Sequence, residues 1–166
     1  MRDFLDQLRV ALEHNLYYLA LMGCLVIPDV CGALSSEDGE AKRERYVDWY
    51  NKYMSEMCGF FDGQDCYSFR CSMLHQGSTM NPRSSYSRIL FLEPGADRRN
   101  LILHCNVLND ALNLDVKIFC NTMIEAAERW LDEVSGTELF KTNFNKFIRR
   151  YPNGFSPYIV GTPVIG

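Results

Sequence analysis

Histidine is scarce in this chain, three in 166 residues, so each one stands out as a candidate for moving a proton near neutral pH. Each also follows an arginine at the same spacing: Arg9 and His14, Arg70 and His75, Arg99 and His104. An Arg-x4-His pair joins a permanent, bidentate cation to the one side chain whose ordinary titration falls near pH 7. That combination suits general acid–base chemistry at a phosphate, although chance alone gives such a spacing on the order of once in two chains of this length. A proton must leave the attacking oxygen, and the dianionic five-coordinate phosphorane needs a fixed positive charge. The chemistry requires no metal.

Context separates the three copies. Arg9 and His14 fall inside a helical stretch in the most acidic part of the chain, where a surface ion pair is the plain role. Arg99 and His104 straddle a turn and a strand, so their contribution to a site depends on strand register. Arg70 and His75 occupy the last turns of a helix that stops at Gln76-Gly77, beside a polar loop containing Arg83 and Arg88. A histidine at a helix end can reach beyond it. Ser72, Gln76 and Arg83 are further candidates for hydrogen-bonding a phosphate. The competing structural role is equally concrete: His75 satisfies the carbonyl end of its helix, favoured by the macrodipole, and Arg70 pairs with Asp62 or Asp65. On an ideal helix, Arg70 and His75 lie about 140° apart and about 7.5 Å along the axis. One straight helix does not aim both at one phosphate.

Other chemistry has less to stand on. Cys71 and His75 are four apart and share a helix face, the spacing of a thiolate–imidazole pair, but a buried cysteine beside a surface histidine is the simpler arrangement. Cys66 and Cys71 lie about 140° apart, so with His75 they do not converge, and no metal site is expected. The chain has no HExxH, no glycine-rich phosphate loop and no GxSxG.

The string Asp65-Cys-Tyr-Ser-Phe-Arg-Cys-Ser-Met-Leu-His-Gln-Gly77 resembles the HEPN superfamily, all-α nucleotide-binding and ribonuclease domains of toxin–antitoxin, CRISPR-associated and RNA-surveillance proteins. The family's mark is Arg-x(4–6)-His, and Arg70 and His75 match its two functional positions. Cys71 departs from the Asn, Asp or His usual after the arginine. The resemblance implies a homodimer with a composite site, in which His75 is general base or acid and Arg70 stabilises the transition state. It implies a metal-independent endoribonuclease without cofactor, a toxin or defence effector acting on RNA, with an antitoxin or other protein partner. A second function stays open: a bundle without cleavage that binds a nucleotide or a protein through the same groove. Cys71 and the mild acidity favour that alternative, and the presence of both Arg70 and His75 favours the enzyme.

Helical periodicity supplies the elements that position these residues. Leu5, Leu8, Leu12, Leu16, Leu19 and Val26 form one apolar stripe over roughly six turns, ended or kinked by Pro28. A second helix carries Tyr46, Trp49, Tyr50, Tyr53 and Met57 and stops at Gly59. The third starts at Asp62 or Asp65 and ends at Gly77. Residues 88–93 and 101–107 read as a β-hairpin around Pro94-Gly95. Val116, Phe119, Met123, Ala127, Trp130 and Val134 define a further helix, capped by Asn109 or Asn113, and Phe140, Phe144, Phe147 and Ile148 the last. The expected fold is all-α, a bundle of about five helices with a hairpin inserted at about 88–107. Residues 1–150 form one HEPN-like domain and 151–166 a Pro/Gly-rich tail. The aromatic stripe of the second helix and the apolar positions of the third exceed what a small bundle usually buries, which again points to a homodimer.

Composition sets the outer limits. The formal charge is −4, so a general grip on duplex DNA or an anionic membrane is not expected. Residues 1–66 carry twelve acids against six bases, and residues 67–166 nine against eleven, so a polyanion would meet the second half. Seven cysteines without a CxxC pair read as free thiols of a reducing, cytoplasmic compartment. The apolar run Leu16–Ile27, bounded by Asn15 and Pro28, reads as too short to cross a bilayer.

Overall fold

The computed structural model describes residues 1–80, 86–95 and 103–166. Among these, six helices dominate: α1 (Arg2–Glu13), α2 (Tyr17–Leu34), α3 (Arg43–Met54), α4 (Gly63–Gln76), α5 (Val116–Val134) and α6 (Glu138–Phe144). A three-stranded sheet of β1 (Arg88–Leu92), β2 (Asn106–Leu108) and β3 (Ala111–Asp115) lies between α4 and α5 in sequence. Four two-residue strands follow α6: β4 (Arg150–Tyr151), β5 (Gly154–Phe155), β6 (Ile159–Val160) and β7 (Val164–Ile165).

The first apolar stripe is two helices rather than one. Asn15 adopts a left-handed conformation (φ 57°), which asparagine tolerates better than most residues, and the chain reverses there. The reversal lays α1 on α2. A Cβ on Gly23 would come within 2.3 Å of Leu8 Cδ2, so any larger residue there must displace the end of the Leu8 side chain. Pro28, expected to end or kink the helix, sits inside α2, which runs on to Leu34. Proline removes one helical N–H. In that turn the Tyr46 hydroxyl donates to the Leu25 carbonyl at 3.2 Å and lies 3.3 Å from Cys66 Sγ. α2 is therefore longer than the Leu16–Ile27 run suggested. By length and composition alone it could cross a membrane, and 56% of it is buried inside this fold.

The sheet also differs from the expected hairpin. β1 pairs in parallel with β3, Ile89 opposite Leu112, and β2 pairs antiparallel with β3, Leu108 opposite Ala111. The hairpin is therefore β2–β3, closed by Asn109 and Asp110, both at positive φ as a tight two-residue turn demands. β3 becomes the central strand because Leu112 and Leu114 are both fully buried, and a strand in the middle can bury residues that an edge would expose. Leu101 and Ile102, assigned to the expected hairpin, lie outside the described residues. Asp115, not Asn109 or Asn113, caps α5: its Oδ1 accepts from the Lys117 and Ile118 amides at 2.9 and 3.0 Å.

α5 packs its buried face, Phe119, Met123, Ala127 and Trp130, into the centre of the bundle. The aromatic stripe of α3 is also internal: Tyr46, Trp49 and Tyr50 are buried within a single chain. The surplus of apolar side chains on α3 that argued for a homodimer is thus absorbed by the monomer fold. α6 ends at Phe144, leaving Phe147 and Ile148 beyond it. All seven cysteines carry free thiols, five of them buried.

Candidate functional site

α4 is held firmly at both ends. Asp62 Oδ1 accepts from the Gln64 and Asp65 amides at 2.8 and 2.9 Å, and Asn51 Oδ1 on α3 accepts from the Gly63 amide at 2.7 Å. Gly63 must be a glycine here, since a Cβ would meet the Val47 carbonyl oxygen at 2.6 Å. At the other end Gly77 is left-handed (φ 62°). Its amide bonds the Met73 carbonyl and the Ser78 amide bonds the Ser72 carbonyl, closing the helix. The expected start and stop of this helix are both found.

Between those fixed ends, Arg70 reaches forward along the helix toward its C-terminal end. Its Nη1 donates toward His75 Nε2 at 3.3 Å, a contact that uses the neutral imidazole with its proton on Nδ1. The same nitrogen lies 3.8 Å from Cys71 Sγ. Nη2 sits 2.7 Å from Asp29 Oδ2 on α2. The 140° separation on the helix is overcome by the length of the arginine side chain, so one chain brings Arg70 and His75 together without a second copy. The ion-pair partner of Arg70 is Asp29, not Asp62 or Asp65.

Asp29 was not singled out from the sequence. It is the only charged residue of α2, placed directly after Pro28, and a lone acid in an eighteen-residue apolar helix was the available signal. Its side chain is 10% exposed, against 19% for Arg70. Burial pushes the Asp29 carboxyl above its usual range, with Arg70 and then His75 opposing that rise. Burial is the largest single influence on Arg70 and disfavours its cation, but Asp29 and Cys71 together outweigh it and leave the guanidinium more firmly protonated than usual. The pair is poorly aligned for a hydrogen bond: neither Asp29 Oδ2 nor Arg70 Nε, both buried, has a hydrogen-bond partner. A buried ion pair of this kind adds little net stability, so its presence fits orientation better than folding. Tyr67 forms a side wall, with Arg70 and Arg43 each 5.9 Å from its ring centre. Arg43 Nε donates to Gln64 Oε1 at 3.2 Å. The result is a partly open cluster in which a held cation touches an exposed imidazole.

The other candidates are placed less favourably. Ser72 is 7% exposed and turned into the bundle, away from any phosphate at the helix end, whereas Gln76 is exposed. Arg83 and Arg99 lie outside the described residues. Arg9 binds Glu128 at 2.6 Å and Asp6 at 3.4 Å, while His14 Nδ1 sits 2.9 Å from its own helix's Val10 carbonyl, so the two do not meet. His104 accepts at Nδ1 from the Asp115 amide at 3.0 Å, which commits it to the start of α5. Burial lowers the pKa of His104, opposed by Asp115. Among the described residues, no group of three or more His, Cys, Asp or Glu is arranged to hold a metal ion. A cleft of about 200 Å³ lined by Tyr17, Phe69, Met73 and Phe91 opens between α2, α4 and β1. Met73 and His75 are about 200° apart around the helix, so this cleft and the Arg70–His75 cluster face different sides of α4.

No family model matches the chain, and no curated protein or solved structure shows significant similarity to it.

Proposed function

We propose that the chain is a metal-independent endoribonuclease of HEPN type, with His75 and Arg70 as its catalytic pair and Asp29 as the residue that positions Arg70. The observation that carries this is the 3.3 Å contact between the Arg70 guanidinium and His75 Nε2 at the open end of a rigidly capped helix. In the proposed reaction the substrate phosphate draws Arg70 Nη1 off His75 Nε2, and that nitrogen takes the proton of a ribose 2′-hydroxyl. The 2′-oxygen then bonds to the adjacent phosphorus, and the bond to the 5′-oxygen breaks as that oxygen gains a proton from water. The products are a 2′,3′-cyclic phosphate and a free 5′-hydroxyl. Arg70 balances the charge of the phosphorane, and Asp29 keeps the guanidinium turned toward His75. The same proposal includes a homodimer, a cytoplasmic role in defence or stress, and restraint by an antitoxin or other protein. An apolar outer face on α2, with Leu19 and Met22 exposed, is available for such contacts.

One observation favours the alternative, a non-cleaving module that binds a nucleotide or protein. Arg70 is mostly buried and already faces a carboxylate, which leaves less of its charge for a phosphate. Incubating the purified protein with total RNA in EDTA decides between them. Fragments ending in a 2′,3′-cyclic phosphate support the nuclease. Intact RNA across pH and salt conditions leaves the binding module.

A further inference from the structure

Residues 139–166 contain four basic side chains, Lys141, Lys146, Arg149 and Arg150, and no acidic one. In a chain of net charge −4, this is a local reversal of sign. The same segment supplies seven of the seventeen large apolar side chains exposed among the described residues. β4 pairs with β7 and, nested within them, β5 pairs with β6, so residues 150–165 form one interrupted two-stranded ribbon. Gly154 (φ 90°) allows the inner pair to close, since a Cβ there would meet the Ile159 carbonyl oxygen at 2.3 Å. A two-stranded ribbon alone is only marginally stable in water, which leaves it in want of a partner.

A continuous stack runs from the bundle out along this ribbon. Arg149 lies 5.6 Å from the Phe144 ring and 5.1 Å from the Tyr151 ring, with its Nε donating to the Tyr151 hydroxyl. Tyr151 and Phe155 are stacked 4.4 Å apart with an 8° angle between their planes. Phe155 then leads at 5.7 Å to Tyr158, whose ring is tilted by 55° from it and which is 82% exposed. The stack ends with an aromatic face open to solvent. In the same C-terminal segment Lys141 is paired with Glu138, whereas among the described residues no carboxylate lies within ion-pair distance of Lys146 or Arg150.

We propose that this ribbon is a docking surface for single-stranded RNA, with bases continuing the stack at Phe155 and Tyr158 and phosphates meeting Lys146 and Arg150. Stacked aromatic rings together with cations that no carboxylate neutralises are the combination that grips single strands without reading sequence. An anionic bilayer would use the exposed Ile159, Val160 and Ile165, but it gains nothing from the parallel Tyr151 and Phe155 rings. The choice of RNA rests on the nuclease reading above; the surface itself lies outside the Arg70–His75 cluster.

Fluorescence anisotropy on the full-length His75→Ala chain tests docking with the probe left intact. The probe is a fluorescein-labelled, unstructured 15-nucleotide RNA titrated at several salt concentrations. Adding Phe155→Ala and Tyr158→Ala together should weaken binding about tenfold or more. Adding Lys146→Gln and Arg150→Gln should reduce the slope of log K against log salt by about 1.4, two phosphate contacts' worth for a single strand. Binding unchanged in both sets overturns the proposal. So does at least tenfold tighter binding of the DNA 15-mer of the same sequence, or binding to vesicles of 70:30 phosphatidylcholine and phosphatidylserine without binding to the RNA. Cleavage by the wild-type chain is scored separately. RNA bound at the ribbon but never cut would end the nuclease reading and leave this one standing.

Discussion

The α4 end of the bundle and the C-terminal ribbon both carry arginine and aromatic side chains, but they treat them in opposite ways. At α4 the charges are matched inside the fold: Asp29 faces Arg70, Arg70 faces His75, and caps at Asp62 and Gly77 fix the backbone beneath them. On the ribbon the strands pair only with each other, Tyr158 and Val160 stand in solvent, and Lys146 and Arg150 are left without carboxylates among the described residues. The first arrangement gives geometry to a few atoms. The second gives area and charge to a partner. A site that must hold a proton donor and a cation within hydrogen-bond reach needs the former, and a surface that must accept varied strands can use the latter.

The largest effect should come from breaking the α4 cluster. His75→Ala is expected to abolish RNA cleavage with the fold intact, because neither His14 nor His104 is placed to replace it. Arg70→Ala should cost a hundredfold or more, about 3 kcal/mol, as for the loss of a group that stabilises transition-state charge. Single-turnover cleavage of a labelled RNA measures both. His14→Ala and His104→Ala are the controls. If His104→Ala is the change that stops cleavage, the Arg99–His104 pair is the site.

Next comes the platform. Gly63→Ala pushes a methyl group into the Val47 carbonyl and should destabilise the chain by about 2 kcal/mol, the usual cost of overpacking. Urea denaturation measures it, and a change below about 0.5 kcal/mol would mean that α3 and α4 are less tightly joined than the structure indicates.

Asp29→Asn should lower cleavage about tenfold, roughly 1.4 kcal/mol, by releasing Arg70 from its turn toward His75. Its effect on stability has a definite sign. Burial raises the folded-state pKa of Asp29, so its contribution is full below the unfolded value of about 3.9 and is lost as pH rises through the raised folded value. The asparagine variant should lose that part of the pH dependence. His104 works in the opposite direction. Its pKa is lowered on folding, so its contribution is full above about 6.5 and is lost as pH falls through the folded value. Melting temperature followed from pH 8 to pH 5 should fall more in the wild type than in His104→Gln.

Much of the α4 platform was legible because its signals are local. An acid at the start and a glycine at the end of an apolar, helical stretch carry their meaning within a few residues. Asp29 was not legible in the same way, since its partner lies forty-one residues further on and only the folded chain shows the two facing each other. The Arg70–His75 contact was missed for another reason: a helical wheel records where Cα atoms point and ignores how far an arginine can reach. Asn15 hid the break between α1 and α2, because the leucine stripe continues across it. β3 was overlooked because Ala111-Leu-Asn-Leu-Asp115 is short, apolar and joined directly to α5, whereas the parallel partner that makes it a central strand is distant in sequence. The tail's composition was visible, but its nested pairing and its aromatic column appear only in three dimensions.

The smallest expected effect sharpens the comparison from the ribbon's side. Ile165 stands opposite Arg150 in the β4–β7 pair and is largely exposed. If the ribbon is an outward surface rather than part of the core, Ile165→Ser loses only a cross-strand contact at the edge of a two-residue ladder. The change in unfolding free energy should then stay within about 0.5 kcal/mol, as for surface positions generally. Leu112→Ala, at a fully buried position in β3, should cost about 2–5 kcal/mol in the same urea titration and shows what a packed site looks like. A loss above about 1.5 kcal/mol at Ile165 would mean that the ribbon contributes to the fold nearly as a core element does. Its exposed residues would then be there for stability, and the contrast with α4 would collapse. A loss near zero keeps the two regions distinct, one built for internal order and the other for contact.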